Sequence, residues 1–512
     1  MHKIIKFLFS RLFIISFLIV LQIGIIALAF YNLNDNYVYF KWIMQFLSLF
    51  IALFILNRDT NPSTKLPWII VVLVFPIIGA IFYLMFGSVR VSHFIKKRHN
   101  KLINDTAHYY PECDELIYKM LTMNSHIGKE AQYIKNAASM SVYQKTSTEY
   151  YPTGEDFFEA LIRELKKAKK FIFLEYFIVQ EGKMWDTILE ILVEKAASGV
   201  EVRMMYDDLG SISTLPGDYK KKLENLGIKC TVFNPYRATV TVSLQNRDHR
   251  KITVIDGHTA FTGGCNLADE YINVFEKHGH WKDCAIMIKG PAVWNLTMLF
   301  LQSWNFFNHT DSNYYDYKRP DDKMPPIPNA KGFVQPYGDS PFNNELISEY
   351  VYMNFINTAN RYLYIMTPYL VVDNEMVTAL ILAAKSGVDV RIMTPHVPDK
   401  WYVHLITQAY YHTLIKYGVR IFEYKPGFIH SKTVVSDDIQ CIVGTINFDF
   451  RSLYHHFECG IFMYETDAVA QVKKDFLDTQ THCIEITAED CRRVPLRTRI
   501  LRGLLRFFAP LM

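Results

Sequence analysis

A motif that occurs twice constrains this chain more than any other feature. His249, Lys251 and Asp256 in HRKITVID, and His430, Lys432 and Asp437 in HSKTVVSD, both read H-x-K-x-x-x-x-D. Each copy runs on through six residues to a glycine (Gly263, Gly444) and, three positions later, to an asparagine (Asn266, Asn447). The copies stand 181 positions apart and stay in step for eighteen, so the chain has to build the same local structure twice.

Alternate side chains of a strand share a face. His249 and Lys251 therefore point one way, as do His430 and Lys432, and each strand presents an imidazole beside an ammonium. Asp256-Gly257 is a turn signal, after which TAFTGG returns as a neighbouring strand and carries Asn266 back toward the histidine. The second copy repeats this layout with Asp437-Asp438 and no glycine.

The surrounding sequence repeats as well. In the first half, helix and strand signals alternate: a helix over 158–170, a strand over 171–179, a helix over 184–199 ending in glycine, then strands over 200–207 and near 223–234. INTANRYLYIMTPYLV repeats the first helix end and strand, with Thr367 opposite Glu175, and S-G-V-(D/E)-V-R recurs at 198–203 and 386–391. This pattern predicts two homologous α/β domains, 141–308 and 331–489, each with its own core. The Pro-, Asp- and Tyr-rich stretch 309–330 reads as the linker, and 91–140 as a polar, partly helical connection.

Composition matters chiefly at the N-terminus. Hydrophobic residues make up 50% of the chain and charged ones 21%, and the apolar excess is concentrated in the first ninety positions. Three stretches, about 12–31, 37–56 and 66–86, are long enough to predict transmembrane helices, and with them a multi-pass protein of the cell membrane. Lys3, Lys6 and Arg11 pull the N-terminus inward, while Arg90 and Lys96–Arg98 pull the far end the same way, so the side of the catalytic domain stays open. At the other end, 490–512 forms a cationic amphipathic tail: Arg499, Arg502 and Arg506 share one helical face, a pattern suited to anionic lipid or to docking on the domain. The eight cysteines are scattered, with no metal or disulfide spacing.

Displacement at a phosphodiester needs a nucleophile on one side of phosphorus and a proton donor on the other. Two half-sites facing across a pseudo-twofold interface supply both histidines. Lys251 and Lys432 can then neutralise the non-bridging oxygens, and Asn266 and Asn447 can donate to them. No metal or other cofactor is required. A carboxylate that fixes each imidazole's tautomer is offered by Asp283 and Glu458, with Glu270 a rival and Asp269 a candidate loop cap. Asp256 and Asp437 stand five residues from the lysines, better placed to brace the turn than to touch phosphorus.

The paired H-x-K-x-x-x-x-D with downstream G-x-x-N resembles the phospholipase D superfamily. HRKITVIDGHTAFTGGCN and HSKTVVSDDIQCIVGTINFDFRS, taken with the apolar N-terminus, resemble bacterial cardiolipin synthases. The resemblance implies that His249 and His430 are the reacting imidazoles, with Lys251, Lys432, Asn266 and Asn447 around the phosphate. It makes Glu458 the partner of His430 and Asp283 the partner of His249. It also implies a phosphohistidine intermediate, by analogy on His249, and transfer of a phosphatidyl group between two phosphatidylglycerol molecules. Two departures stand out: Thr253 sits at a usually aliphatic strand position, and the second turn lacks its glycine.

A phospholipase D hydrolase, or a transferase using phosphatidylethanolamine, would use the same residues. A phosphodiesterase acting on nucleic acid would want a basic groove, whereas 55 basic and 51 acidic residues nearly balance. A non-catalytic scaffold would not need both motifs intact.

Overall fold

The computed structural model describes residues 36–75 except 59, scattered positions between 79 and 87, 93–235, 246–319 except 311, and 325–511 with gaps at 326, 328–329 and 344. They belong to two compact units.

The N-terminal unit contains helices Asn36–Leu56 and Pro62–Val74, which bury Ile55, Val72 and Tyr83 together. Arg58 donates from Nη1 to the Tyr83 hydroxyl at 2.6 Å. The expectation of transmembrane helices is corrected here. Among the described residues, no helix is long and apolar enough to cross a membrane, and with that finding the expected multi-pass cell-membrane location falls. The stretch 12–31 lies outside the described residues. The helix over the second stretch carries Asn36, Lys41, Gln45 and Ser48, so its uninterrupted apolar run is only Leu49 to Leu56, about 12 Å of helix against a hydrocarbon core of about 30 Å. The third stretch breaks: its helix is capped by Asn61 and stops at Val74, with Phe75 at φ −126°, ψ 77°. Pro76 disfavours the helical conformation of the residue before it.

The second unit carries the duplication. Its first half contains strands β1 (Ser147–Tyr151), β2 (Phe171–Tyr176), β3 (Glu201–Asp207), β4 (Lys229–Phe233), β5 (Ile252–Ile255), β6 (Thr259–Gly263), β7 (His280–Lys282) and β8 (Ala285–Lys289). The second half contains β9 (Phe333–Asp339), β10 (Tyr362–Met366), β11 (Leu370–Val371), β12 (Asp389–Pro395), β13 (Arg420–Tyr424), β14 (Gly427–Ile429), β15 (Thr433–Ser436), β16 (Gln440–Gly444), β17 (Phe448–Asp449), β18 (Glu458–Tyr464) and β19 (Cys483–Ile486).

The first sheet runs β1-β8-β6-β5-β2-β3-β4; the second, from its matching edge, runs β9-β18-β16-β15-β10-β12-β13, with β19 added. The strands correspond one for one. In both, three adjacent strands are parallel (β2, β3, β4; β10, β12, β13) and the motif hairpin (β5-β6; β15-β16) packs antiparallel beside them. Register refines one expectation: Glu175 pairs with Ile252 and Met366 with Thr433, so Met366 rather than Thr367 occupies the place of Glu175.

The glycines shared by the motifs are explained by close approach. A Cβ on Gly263 would lie 2.4 Å from the Cys284 carbonyl oxygen, and one on Gly444 would lie 2.4 Å from that of Cys459. In the second turn, Asp438 takes φ +66° without glycine's freedom. Its carboxylate is held there by Arg361 and Lys473, both at 2.5 Å, and by the Tyr362 hydroxyl at 2.9 Å. Thr253 also has its reason: its hydroxyl meets the buried Tyr176 hydroxyl at 2.7 Å.

Helix Val293–Asn308 is buried along almost its whole length, as its all-round apolar character requires. Its Asn295 donates to the carbonyls of Ser141 and Pro336, which ties the first half to β9. Helices His93–Thr106, Asp114–Met123 and Ser125–Ala138 precede β1. In the C-terminal helix Leu496–Phe508, Arg502 donates to the Gln408 side chain and Arg506 lies 4.1 Å from the Tyr410 ring, while Leu496, Ile500 and Leu504 are exposed. Two of the three aligned arginines thus face the protein.

Candidate active site

Each motif strand begins on a segment that pairs with the opposite half. The His249 amide donates to the Phe457 carbonyl at 2.9 Å, and the His430 amide to the Lys282 carbonyl at 2.7 Å. Parallel pairing of β14 with β7, and the matching bridge between Asp248 and Phe457, complete the exchange. The carboxylates follow directly after these pairings. His249 Nδ1 lies 2.8 Å from Glu458 Oε1, and His430 Nδ1 lies 2.7 Å from Asp283 Oδ2. Both expected orienting residues reach a motif histidine, but crosswise: the structure reverses the pairing that the family resemblance implied.

All four groups are buried. Thr445 Oγ1 donates to the other Glu458 oxygen, and the Cys284 amide to Asp283 Oδ1 at 2.8 Å. Lys251 Nζ donates to the His249 carbonyl at 2.6 Å, and Lys432 Nζ does the same to that of His430. The two lysines hold their own motif backbones while staying on the imidazole side.

Burial dominates the electrostatics. It drives His249 well below its ordinary pKa, helped by the positive charge of Lys251, by His456, and by Lys432 and His430 of the other copy. The two motif copies therefore share one electrostatic neighbourhood. Burial and Lys432 take His430 down to about 4 against the pull of Asp283. Burial lowers Lys251 to about 7 and also lowers Lys432. The carboxylates differ: burial raises Glu458 well above the usual range, whereas Asp283, despite its burial, is held low by His430 and Lys432. In both pairs Nδ1 faces a carboxylate, so Nε2 is the ring nitrogen left for chemistry.

The other sequence candidates have surroundings of their own. Asp256 accepts from the amides of Lys169, Lys170 and Phe171 at 2.8, 2.7 and 3.0 Å, and Asp437 from those of Asn360, Arg361 and Tyr362 at 2.7, 2.8 and 3.0 Å. Seven residues of near-extended chain, roughly 23 Å, separate each from its histidine. Asn266 is engaged at both ends, accepting from the Ile178 amide at 3.0 Å and donating to the Tyr271 hydroxyl at 2.7 Å. The side-chain oxygen Oδ1 of Asn447 is buried and makes no hydrogen bond. Asp269 accepts from the Lys183 and Met184 amides at the start of helix Lys183–Ala197, and Glu270 pairs with Lys277 at 3.2 Å.

Two neighbours of the histidines escaped the sequence reading. Trp281 packs on His430 with ring centroids 5.3 Å apart, and His456 on His249 at 5.5 Å. They occupy equivalent positions, each two residues before its half's carboxylate, in HWKD and HHFE. That spacing was the available signal. Phe177 lies beside His249, and Tyr271 and Phe428 beside His430.

The comparisons with known proteins give the family and the fold. A family model described as "Cardiolipin synthase, PLD-like domain" matches residues 161–297 and 352–479, and "Phospholipase_D-nuclease N-terminal" matches 46–88. The cardiolipin synthase of Geobacillus kaustophilus is 34% identical over 479 residues, covering 92% of this chain and 94% of its own. Cardiolipin synthase 2 of Bacillus cereus is 32% identical over 473 residues, covering 90% and 89%. An uncharacterized Streptococcus mutans protein is 41% identical over 472 residues, covering 90% and 99%. Among solved structures, phosphatidylserine synthase of Haemophilus influenzae aligns with a TM-score of 0.56 at 16% identity, over 74% of this chain and 97% of that one, a likeness of fold.

Proposed function

We propose a specific reaction from the premise that the chain belongs to the phospholipase D superfamily and is related to the bacterial cardiolipin synthases: transfer of a phosphatidyl group from one phosphatidylglycerol to a second, giving cardiolipin and glycerol. The observation that carries it is the pair of crossed imidazole–carboxylate contacts, His249 with Glu458 and His430 with Asp283, inside one buried lysine-flanked centre.

In the first step, Nε2 of His249 attacks phosphorus and the bond to the leaving glycerol oxygen breaks. His430, protonated at Nε2 when the anionic phosphodiester enters and offsets the lysine charge, gives that oxygen a proton. In the second step, His430 takes the proton from a hydroxyl of the second phosphatidylglycerol's glycerol, whose oxygen displaces His249 from phosphorus. Lys251 and Lys432 offset the charge that grows on the non-bridging oxygens. Asp283, and Glu458 in its ionised form, accept from the Nδ1–H of each ring and so direct Nε2 to the reacting atoms. Phosphoester bonds are exchanged one for one, so the product depends on which hydroxyl reaches the intermediate. Water would give phosphatidic acid, and the aromatic shell of Phe177, Tyr271, Trp281 and Phe428 favours its exclusion.

Purified protein with vesicles of phosphatidylglycerol alone tests the reading. Cardiolipin and free glycerol should appear in equal amounts. Phosphatidic acid as the main product would replace it with hydrolysis, and a requirement for phosphatidylethanolamine would replace it with a different transferase.

A further inference from the structure

The pseudo-twofold that relates the two half-sites fails beside the carboxylates. Where the His430 half has Trp281, the His249 half has His456, a third imidazole that the proposed reaction does not use. His456 is buried, and neither of its ring nitrogens makes a hydrogen bond. A buried polar group without a partner costs free energy, which marks His456 as a residue with something to bind.

Its neighbours supply the rest of a donor set. One donor atom from each of His249, His456 and Glu458 lies within 4.8 Å of the other two. Glu458 Oε1 is 2.8 Å from His249 Nδ1 and 3.9 Å from His456 Nδ1. Ligands about 2.0–2.2 Å from a tetrahedral zinc ion stand about 3.4 Å from one another, so both separations lie within roughly 0.6 Å of what such an ion needs. Two imidazoles and a carboxylate with a fourth position for water or an anion suit zinc. Thr445, which donates to the second Glu458 oxygen, provides the outer hydrogen bond that orients a ligating carboxylate. The ammonium groups of Lys251 and Lys432 oppose a dication, and the Glu458 carboxylate with an anionic fourth ligand offsets them.

We propose that His249, His456 and Glu458 form a binding site for a zinc-class divalent cation, and that its occupancy halts turnover by tying up the His249 imidazole. The inhibition rests on the reading of His249 as a reacting group; the binding does not. The other half offers no equivalent, because an indole stands at the position of the third ligand.

The experiment titrates ZnCl2 into the tag-free full-length protein and follows binding by calorimetry and turnover on phosphatidylglycerol vesicles. His456→Asn and His456→Gln are run beside it, with thermal melts to confirm that each is folded. The expected result is one zinc ion per chain in the wild type, inhibition reversed by EDTA, and at least a tenfold loss of both zinc affinity and zinc sensitivity in the two variants, whose activity without zinc persists. Equal zinc binding by wild type and folded variants overturns the site, as does the absence of binding to the wild type. Binding that needs His456 yet leaves turnover untouched would uphold the site and instead sink the reading of His249 as a reacting imidazole.

Discussion

Nδ1 of His249 lies 2.8 Å from Oε1 of Glu458, 209 residues further along the chain and in the opposite half of the duplication. His430 mirrors this with Asp283 at 2.7 Å across 147 residues. Neither half can hold its own imidazole, so the two halves must dock before either ring is set, and four predictions take this exchange as their starting point.

Glu458→Gln keeps the shape of the contact but replaces the carboxylate that fixes the His249 tautomer. Turnover should fall by roughly 10²–10⁴, while KM moves less than about tenfold. Steady-state kinetics on phosphatidylglycerol vesicles measure this. Asp283→Asn should act alike through His430, and an unchanged kcat in both variants would remove the orienting role.

His249→Ala and His430→Ala should each abolish turnover in a folded protein. Acid-quenched protein treated with a radiolabelled lipid should carry its phosphoryl adduct on His249, located by peptide mapping. An adduct found only on His430 would reverse the order of the two histidines.

Asp256→Ala and Asp437→Ala should weaken stability rather than chemistry. Each removes a carboxylate that accepts from three backbone amides, a loss of about 1–3 kcal/mol or more. Melting should drop by several degrees, and the folded fraction should retain its kcat within about threefold. A loss of kcat without loss of stability would return these aspartates to the reacting centre.

The motif histidines should draw stability down on acidification over a defined window, against the opposite pull of Glu458, whose raised pKa favours the native state as pH falls. His430 has its pKa lowered from 6.5 to about 4, and His249 is lowered as well. Below pH 6.5 the unfolded chain binds protons that these native rings refuse, so stability falls with pH until about 4 is reached. Asp283, held low in the native state, adds its own loss only below its ordinary carboxylate range. The difference in melting temperature between wild type and His430→Gln, followed against pH, should show the slope that this ring contributes. A difference that stays constant with pH would show that the ring titrates freely.

Much of the fold was legible because its determinants are local. An H-x-K spacing puts two side chains on one face of any strand, whereas Asp256 and Asp437, read as bracing their own turns, accept from the distant amides of 169–171 and 360–362. Gly263 and Gly444 mark strands that approach too closely for a Cβ. The repeated run S-G-V-(D/E)-V-R announced the second domain. Local apolarity misled at the N-terminus, where one helix stops at Val74 ahead of Pro76 and Lys41 and Gln45 break the apolar run of another. Spacing placed Asn266 near the histidine but did not show that the Ile178 amide and the Tyr271 hydroxyl hold its side chain.

By itself, then, the sequence determined that two equivalent α/β halves would each present an imidazole and an ammonium, since period-two alternation and turn chemistry act over a few residues. Only the tertiary structure decided that Glu458 serves His249, that Asp283 serves His430, and that His456 stands where its counterpart is Trp281. Those contacts depend on how one half's strands pair with the other's, at Phe457 and Lys282. Docking of that kind is fixed by the packing of whole sheets, which no spacing within either motif encodes.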